Sequence, residues 1–335
     1  MIRQNFLALA IAAIATSASP SFAASSPQGA GNSALGAVYT TSNDAAGNAV
    51  LTFERFADGH LSPGGIVATG GLGTGSGLGN QGALRFTPDE RWLLAVNAGS
   101  NSVSVLAVGE RSLVLADIAA SGGDQPISVT AHGDLVYVVN AGSESIAGFR
   151  LDTQGHLHPL AGSIRPLGAT GVQPAEVGFS PDGNFLVVTE KAANQIAVFP
   201  VDRDGLAGAP LIQNAAGVTP FGFAFGKRGQ LLVSEAFGGA SNASATTSYN
   251  LGSDGILTVI SGSAADNQTS NCWTAIAPNG RYAYVANTGS GTVSGYRIEF
   301  DGHLELIDAD GVTGVTGGKP ADLAFSDDGQ FLYAL

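Results

Sequence analysis

The chain has 335 residues, of which 48 are glycine, 44% are hydrophobic and only 12% are charged. Average proteins carry about 7% glycine and about 25% charged residues, and this composition excludes a disordered chain, a collagen repeat and a helical bundle. The net charge of −13 argues against a nucleic-acid or anionic-membrane partner. The single cysteine, Cys272, excludes an internal disulfide framework and a cysteine-based zinc site.

The N-terminus has the pattern of a cleavable secretory signal. Arg3 supplies the positive charge, Phe6 to Ala15 form an apolar run, and small residues lead to Ala23. We therefore predict a signal peptide over residues 1–23, cleavage after Ala23, and a flexible segment over 24–36. The predicted location is the periplasm or the exterior. The apolar run is too short to span a bilayer, and no later stretch is long enough, so we expect no membrane span.

From residue 37 a unit of four short strands recurs. Its clearest mark is an apolar strand, a Pro-Asp-Gly type turn and a second apolar strand. This pattern begins at Phe86, Phe179, Ile276 and Phe325, with weaker copies that turn at Gly133 and Gly229. An alternating strand and an Asp-Gly type hairpin follow. Four strands in each period of about 40–50 residues are typical of a β-propeller blade.

The units predict one all-β domain over residues 37–335, a β-propeller of four-stranded blades. The first unit lacks its first strand, five complete units follow, and the last unit has two strands. This count exceeds that of a closed six-bladed ring by one strand. We therefore expect a seven-bladed ring whose last blade is truncated, with more chain beyond Leu335, and keep a six-bladed ring as the alternative. The glycine-rich stretch Gly77–Gly82 precedes a strand and no helix, so we interpret it as an ordinary loop between units.

Several stretches carry a resemblance to a known family. Val188–Lys191, Thr219–Phe225, Val233–Gly239, Asn271–Trp273 and Asp308–Gly311 resemble the lactonase-type seven-bladed propellers, which include 6-phosphogluconolactonases and carboxymuconate-cyclising enzymes. The resemblance implies a lactone hydrolase or a related lactone-ring isomerase. It also implies a small-molecule lactone or organic acid as the partner. We expect a monomer without a metal or other cofactor, and a metal-dependent propeller lactonase stays an alternative, with axial ligands among Asn97, Asn140, Glu190, Glu235 and Asn287.

The candidate site residues belong to the face formed by the loops that leave strand two and enter strand one. Lactone hydrolysis needs a base for water and a donor for the developing oxyanion. Glu190 and Glu235 are the candidate bases and Lys191 the candidate oxyanion partner. Candidate substrate-binding residues are Gln173, Glu176, Cys272, Trp273 and Asn287.

Alternatives remain open at this stage. The Arg-His pair of the characterised family members is absent, because Pro220-Phe221-Gly222 stands in its place. All five histidines map to the opposite face, which disfavours a histidine base or metal site. Glu190 and Lys191 also fit a salt bridge between blades. The alternative function is a non-catalytic binding or scaffold propeller of the cell envelope.

Overall fold

Six sheets of four or more strands, arranged radially, form the body of the protein. A computed structural model describes residues 34–110 and 112–335, together with the backbone of Ile2–Arg3. The first of these sheets, blade 1, consists of Gly36–Thr41, Ala49–Arg55 and Leu61–Ala68, and Ile2–Arg3 pairs in parallel with its inner strand. The predicted cleavage site and most of the predicted signal peptide and flexible segment lie outside the described residues.

The other five blades follow the predicted order of strands, from the innermost to the outermost. Blade 2 contains Leu84–Phe86, Trp92–Asn97, Ser102–Val108 and Leu113–Ala120. Blade 3 contains Pro126–His132, Leu135–Asn140, Ser145–Leu151 and Leu157–Pro159, with Arg165–Pro166 added at its edge. Blade 4 contains Pro174–Phe179, Phe185–Glu190, Gln195–Pro200 and Leu211–Asn214. Blade 5 contains Pro220–Phe225, Gln230–Glu235, Ala245–Leu251 and Leu257–Ala265. Blade 6 contains Asn271–Ile276, Tyr282–Asn287, Thr292–Ile298 and Leu304–Leu306, with Gly314–Val315 added.

A two-stranded sheet, Leu323–Phe325 and Leu332–Ala334, lies between blade 6 and blade 1. Its Leu323 belongs to an apolar cluster with blade 6, and Ala324 packs with Val38 of blade 1. Tyr333 donates a hydrogen bond of 2.8 Å to the carbonyl of Gly59 in blade 1. The predicted all-β propeller of four-stranded blades is confirmed, and its six such blades agree with the six-bladed alternative. Within the described ranges, the one helical element is the 3₁₀ turn Phe237–Gly239.

The apolar cores lie between neighbouring blades. Trp92 and Leu94 of blade 2 pack with Val136 and Phe149 of blade 3 in one cluster of buried side chains. Alternating strands produce this arrangement because each sheet turns an apolar face to its neighbour on each side. The turn glycines allow close approach: at Gly155, with φ of +90°, a Cβ would lie 2.5 Å from the Trp92 ring. The first strands of the blades are thereby held around a common axis.

Candidate functional site

Residues Gly79–Gly82, which we call the axial segment, cross the axis of the ring. The segment follows blade 1, yet the backbone N–H of Gln81 donates to the carbonyl of Ala175 in blade 4 at 3.1 Å. The Gln81 side-chain amide bonds the main chain of Thr274 in blade 6, as donor to its carbonyl and acceptor from its N–H, both at 3.0 Å. These bonds close the axial channel on the side where the loops enter strand one.

Gly222 of blade 5 makes room for the axial segment. A Cβ at this position would lie 1.9 Å from Oε1 of Gln81 and 2.7 Å from the carbonyl oxygen of Cys272. Any side chain at position 222 would therefore displace Gln81 from its bonds to Thr274. The Pro-Phe-Gly sequence that replaces the family's Arg-His pair thus serves the close packing of this segment.

The structure brings together four residues on this side of the axial segment, which we call the Lys191 cluster: Lys191, Phe221, Cys272 and Trp273. The Nζ of Lys191 lies 4.8 Å from the centre of the Phe221 ring and donates a hydrogen bond to the carbonyl of Gly79. The rings of Phe221 and Trp273 are 5.3 Å apart, and Nε1 of Trp273 donates to the carbonyl of Asn80 at 2.8 Å. The cluster therefore holds the axial segment in place.

Burial controls the ionisation of the two titratable members of the Lys191 cluster. It lowers the pKa of Lys191 to about 8, because the ammonium loses hydration. It raises the pKa of Cys272 to about 12. The thiol therefore stays protonated at neutral pH and lacks the thiolate that a nucleophilic cysteine needs.

The two predicted bases, Glu190 and Glu235, end the second strands of blades 4 and 5 and are fully buried. Glu235 accepts hydrogen bonds from the N–H of Gly217 at 2.9 Å, from the hydroxyl of Thr247 at 2.6 Å and from the hydroxyl of Ser263 at 2.7 Å. Burial raises its pKa against these bonds. Neither carboxylate lines the axial cavity described below.

Glu190 differs from Glu235 because neither of its carboxylate oxygens has a hydrogen-bond partner within the described residues. Burial raises its pKa to about 7, and the negative charge of Glu144 adds to the effect. In blade 2 the same position is held by Asn97, which accepts bonds from Asn48 and Thr69 of the preceding blade.

The surroundings of the two positions explain the contrast. Asn97 also donates to the hydroxyl of Ser104 at 2.8 Å. By strand register, the residue of blade 4 that corresponds to Ser104 is Ala197. The N–H of Thr69 donates to the carbonyl of Asn48, and the N–H of Leu167 donates to the carbonyl of Glu144 in the same way. Leu167 and Glu144 therefore occupy, beside Glu190, the positions that Thr69 and Asn48 occupy beside Asn97. Glu190 therefore lacks the donors that Asn97 has in blade 2.

The remaining predicted binding residues are dispersed. Asn287 donates to the hydroxyls of Thr292 at 3.2 Å and Ser294 at 2.7 Å, as Asn97 does in blade 2. Gln173 is exposed in the loop before blade 4, with φ of +51°. Glu176 alone among the predicted residues lines a cavity at the axis.

This axial cavity has a volume of about 390 Å³ and lies beyond the axial segment, toward the turns between strands one and two. First strands of blades 2 to 6 and of the two-stranded sheet form its wall, with Gln81 at one end and half-buried Phe86, Phe225 and Phe325 at the other. A larger groove of about 490 Å³ lies between blades 1 and 2, but its described lining residues include no lysine, arginine or histidine. The axial cavity is therefore the better place for chemistry at a carbonyl group.

An ion pair between Arg85 of blade 2 and Glu176 of blade 4 lines the axial cavity. The Arg85 side chain is 32% exposed and the Glu176 side chain 1%. The second oxygen of Glu176 accepts the N–H of Phe223 at 2.7 Å. Burial raises the pKa of Glu176 to about 7, against the opposing effect of Arg85. The pair offers a carboxyl that exchanges protons near neutral pH beside a fixed cation.

Arg85 was not among the predicted site residues. The sequence does contain a signal for it, because the same place in the repeat holds Gly178 in blade 4 and Ala275 in blade 6. A charged residue where sister strands have small ones indicates a side chain with a role at the axis.

The five histidines do not line the cavity, although His132 packs against the Phe179 ring at 5.6 Å between centres. Across residues 34–110 and 112–335, no group of three or more His, Cys, Asp or Glu side chains is placed to hold a metal ion.

The sequence profile of the family described as "Lactonase, 7-bladed beta-propeller" matches residues 46–170 and 163–236, more than half of the chain. The chain belongs to this lactonase propeller family. The 6-phosphogluconolactonase of Yersinia pseudotuberculosis is 25% identical over 123 residues, which are 35% of this chain and 37% of that protein. An uncharacterised protein of Staphylococcus saprophyticus is 29% identical over 127 residues, 36% of each chain. The chain thus matches little more than a third of the length of these curated relatives.

Solved structures share the fold of this lactonase-family chain. A putative 6-phosphogluconolactonase from Bacteroides fragilis superposes with a TM-score of 0.68 at 20% identity, covering 85% of this chain and 83% of that one. The periplasmic gluconolactonase of Pseudomonas aeruginosa gives 0.66 at 18% identity, covering 86% and 80%. Among the described residues there is no helix of the length and apolarity that a membrane span requires.

Proposed function

We propose that this lactonase-family propeller hydrolyses a lactone in its axial cavity, with Glu176 as the base and Arg85 as the group that polarises the carbonyl. One observation carries the proposal: a carboxyl with a pKa of about 7 is paired with a guanidinium in a cavity of about 390 Å³. Names of relatives and structural neighbours, 6-phosphogluconolactonase and gluconolactonase, support a lactone as the substrate class.

The reaction follows from the two groups. The lactone carbonyl oxygen replaces Glu176 as the acceptor of a hydrogen bond from Arg85. One carboxylate oxygen of Glu176 is then free to accept a proton from water. The water oxygen bonds to the carbonyl carbon, and Arg85 stabilises the oxyanion that forms. The ring C–O bond then breaks as the departing ring oxygen takes the proton from Glu176, and the products are a hydroxy acid and the original carboxylate.

Variants of the pair test this assignment. With a pH-stat assay on a panel of lactones, Glu176→Gln should lower kcat by about 100-fold or more, the usual contribution of a general base. Arg85→Met should lower kcat/KM by a similar factor. Glu305→Gln, at an exposed carboxyl on the outer strand of blade 6, is the control and should keep full activity.

Two results would contradict the assignment. Wild-type activity in Glu176→Gln would show that Glu176 is not the catalytic base. A loss of activity in Glu190→Gln or Glu235→Gln without a loss in Glu176→Gln would show that the catalytic base is one of the residues that end strand two.

The wild-type rate should rise with pH through about 7, because Glu176 must be deprotonated to accept the proton.

A second candidate function is ligand binding without turnover. The burial of Glu176 beneath Arg85 favours it, because water reaches the carboxylate only when Arg85 moves. This candidate predicts that a lactone or its hydroxy acid binds in the axial cavity and that no lactone is hydrolysed above the uncatalysed rate. Calorimetric titration beside the pH-stat assay separates the two functions.

We also propose that the chain is exported, on the strength of the signal pattern over residues 1–23. Expression in a bacterial host followed by cell fractionation should recover the protein outside the cytoplasm. N-terminal sequencing should begin at Ala24, so that the exported chain lacks Ile2–Arg3 and blade 1 keeps its three strands from Gly36–Thr41 onward. Recovery of an uncleaved cytoplasmic chain would contradict this proposal.

A further inference from the structure

The wall of the axial cavity is aromatic. Phe86, Phe179, Phe223, Phe225 and Phe325 all line it. Their rings are held by edge contacts, such as that of Phe223 with Phe225 at 6.1 Å and that of Phe325 with Tyr284 at 5.5 Å. Fixed rings of this kind give part of the cavity wall a rigid apolar surface.

Most polar side chains of the wall already have partners, and the hydroxyl of Thr274, which donates to the carbonyl of Gly222 at 3.4 Å, is one of them. Both ends of the Gln81 amide bond Thr274, and Glu176 accepts from Phe223 and Arg85. The hydroxyl of Thr130 accepts the N–H of Phe179 at 3.3 Å. Arg85 keeps free donors, because a guanidinium carries five N–H groups and the described contacts use one.

This distribution of polar groups discriminates between kinds of lactone. A sugar lactone carries a hydroxyl on most ring carbons, and each hydroxyl needs a new partner when it leaves water. Beside five aromatic rings, the cavity wall offers one partly exposed guanidinium and the hydroxyls of Thr130 and Thr274, which are fewer groups than a sugar lactone has hydroxyls. A phosphorylated lactone needs several cations, and Arg85 is the one lysine or arginine among the described lining residues.

Resting on the function proposed above, we infer that the substrate is a lactone with an alkyl or aryl body, oriented by its ester carbonyl at Arg85 and packed against the phenylalanines. Its apolar part fills the space between Phe179, Phe223 and Phe225. It enters from the end of the cavity where Phe325 and Phe86 lie, since the axial segment closes the other end.

The test compares six-membered lactones, so that ring size is constant. A δ-lactone with a linear alkyl substituent and a δ-lactone fused to a benzene ring are assayed against glucono-δ-lactone with the full chain. We expect kcat/KM for the alkyl and aryl compounds to exceed that for the sugar lactone by about tenfold or more. A preference for glucono-δ-lactone overturns this inference and leaves the proposed hydrolysis standing.

Absence of turnover on every lactone overturns the proposed hydrolysis instead. The inference on ligand class is then decided by calorimetric titration with the corresponding lactams, which resist hydrolysis. Tighter binding of the aryl-fused lactam than of the polyhydroxylated lactam supports it, and equal or reversed affinities refute it.

A variant locates the preference in the cavity. Phe225→Ser should reduce the ratio of kcat/KM for the aryl lactone to that for the sugar lactone, with Phe225→Leu as the conservative variant if the serine variant does not fold. Phe300→Ser, at a ring that is 88% exposed, is the matched control and should leave the ratio unchanged. An unchanged ratio in both Phe225 variants would overturn the inference.

Discussion

Glu190 should make the fold less stable as the pH rises, and Glu190→Gln should remove this effect. Both carboxylate oxygens are buried without partners among the described residues, and the pKa rises from 4.5 to about 7 in the folded state. A carboxyl whose folded pKa lies above its unfolded value favours the fold while it is protonated. That contribution is complete below about pH 4.5 and is lost as the pH rises through about 7.

The size of the effect follows from the pKa change. One pKa unit corresponds to about 1.4 kcal/mol, so the rise from 4.5 to about 7 corresponds to about 3 kcal/mol. This is a large part of the stability of a typical domain. The neighbouring charge of Glu144 contributes to the shift, so the effect should weaken somewhat at high salt.

Urea unfolding of both proteins between about pH 5 and about pH 9 measures this effect. In the difference in unfolding free energy between variant and wild type, the contributions of other titrating groups, including Glu176, cancel. The difference should grow in favour of Glu190→Gln by about 2–3 kcal/mol, mostly between about pH 5 and about pH 7, and should level off at higher pH. Glu235→Gln is the matched comparison. Burial raises the pKa of Glu235 too, so its difference should change with pH in the same direction. Three donors hold this carboxylate, however, and the amide nitrogen of glutamine cannot accept a hydrogen bond, so this variant should also lose stability at every pH. A difference that does not change with pH would refute the reasoning.

Two other predictions concern the axial segment. Gly222→Ala should lower the free energy of unfolding by about 1–3 kcal/mol, because the added Cβ meets Gln81. The control is Gly65→Ala, where nothing lies within 4 Å of the added Cβ, and its loss should be less than about 1 kcal/mol. Equal losses for the two variants in urea unfolding would contradict this prediction. Lys191 should react with an acylating reagent with a midpoint near pH 8, measured by mass spectrometry of its peptide, and a midpoint above about 10 would show that burial does not lower its pKa.

The sequence contains enough to predict the blades because each blade is a local pattern. The turn after Phe179 and the alternation over residues 195–199 belong to single hairpins, and the observed strands Pro174–Phe179 and Gln195–Pro200 agree with them closely. The family resemblance is likewise carried by short stretches. These features need no knowledge of how distant blades face each other.

The candidate site depends on such knowledge. Arg85 and Glu176 meet because blades 2 and 4 face the same axis, and no local pattern contains that distance. By sequence the stretch Gly77–Gly82 fits an ordinary loop, yet its last residues reach blades 4 and 6. The predicted signal peptide stays a prediction, as do the catalytic roles of Glu190, Glu235 and Lys191.

The bonds of the axial segment have a further consequence for how the ring forms. Gln81 and Thr274 are separated by 193 residues along the chain and still share two hydrogen bonds. Contacts between such distant residues are expensive in chain entropy and form late in folding. The last event in the assembly of this propeller should therefore take place at its centre, where one short segment ties blades on opposite sides of the ring together.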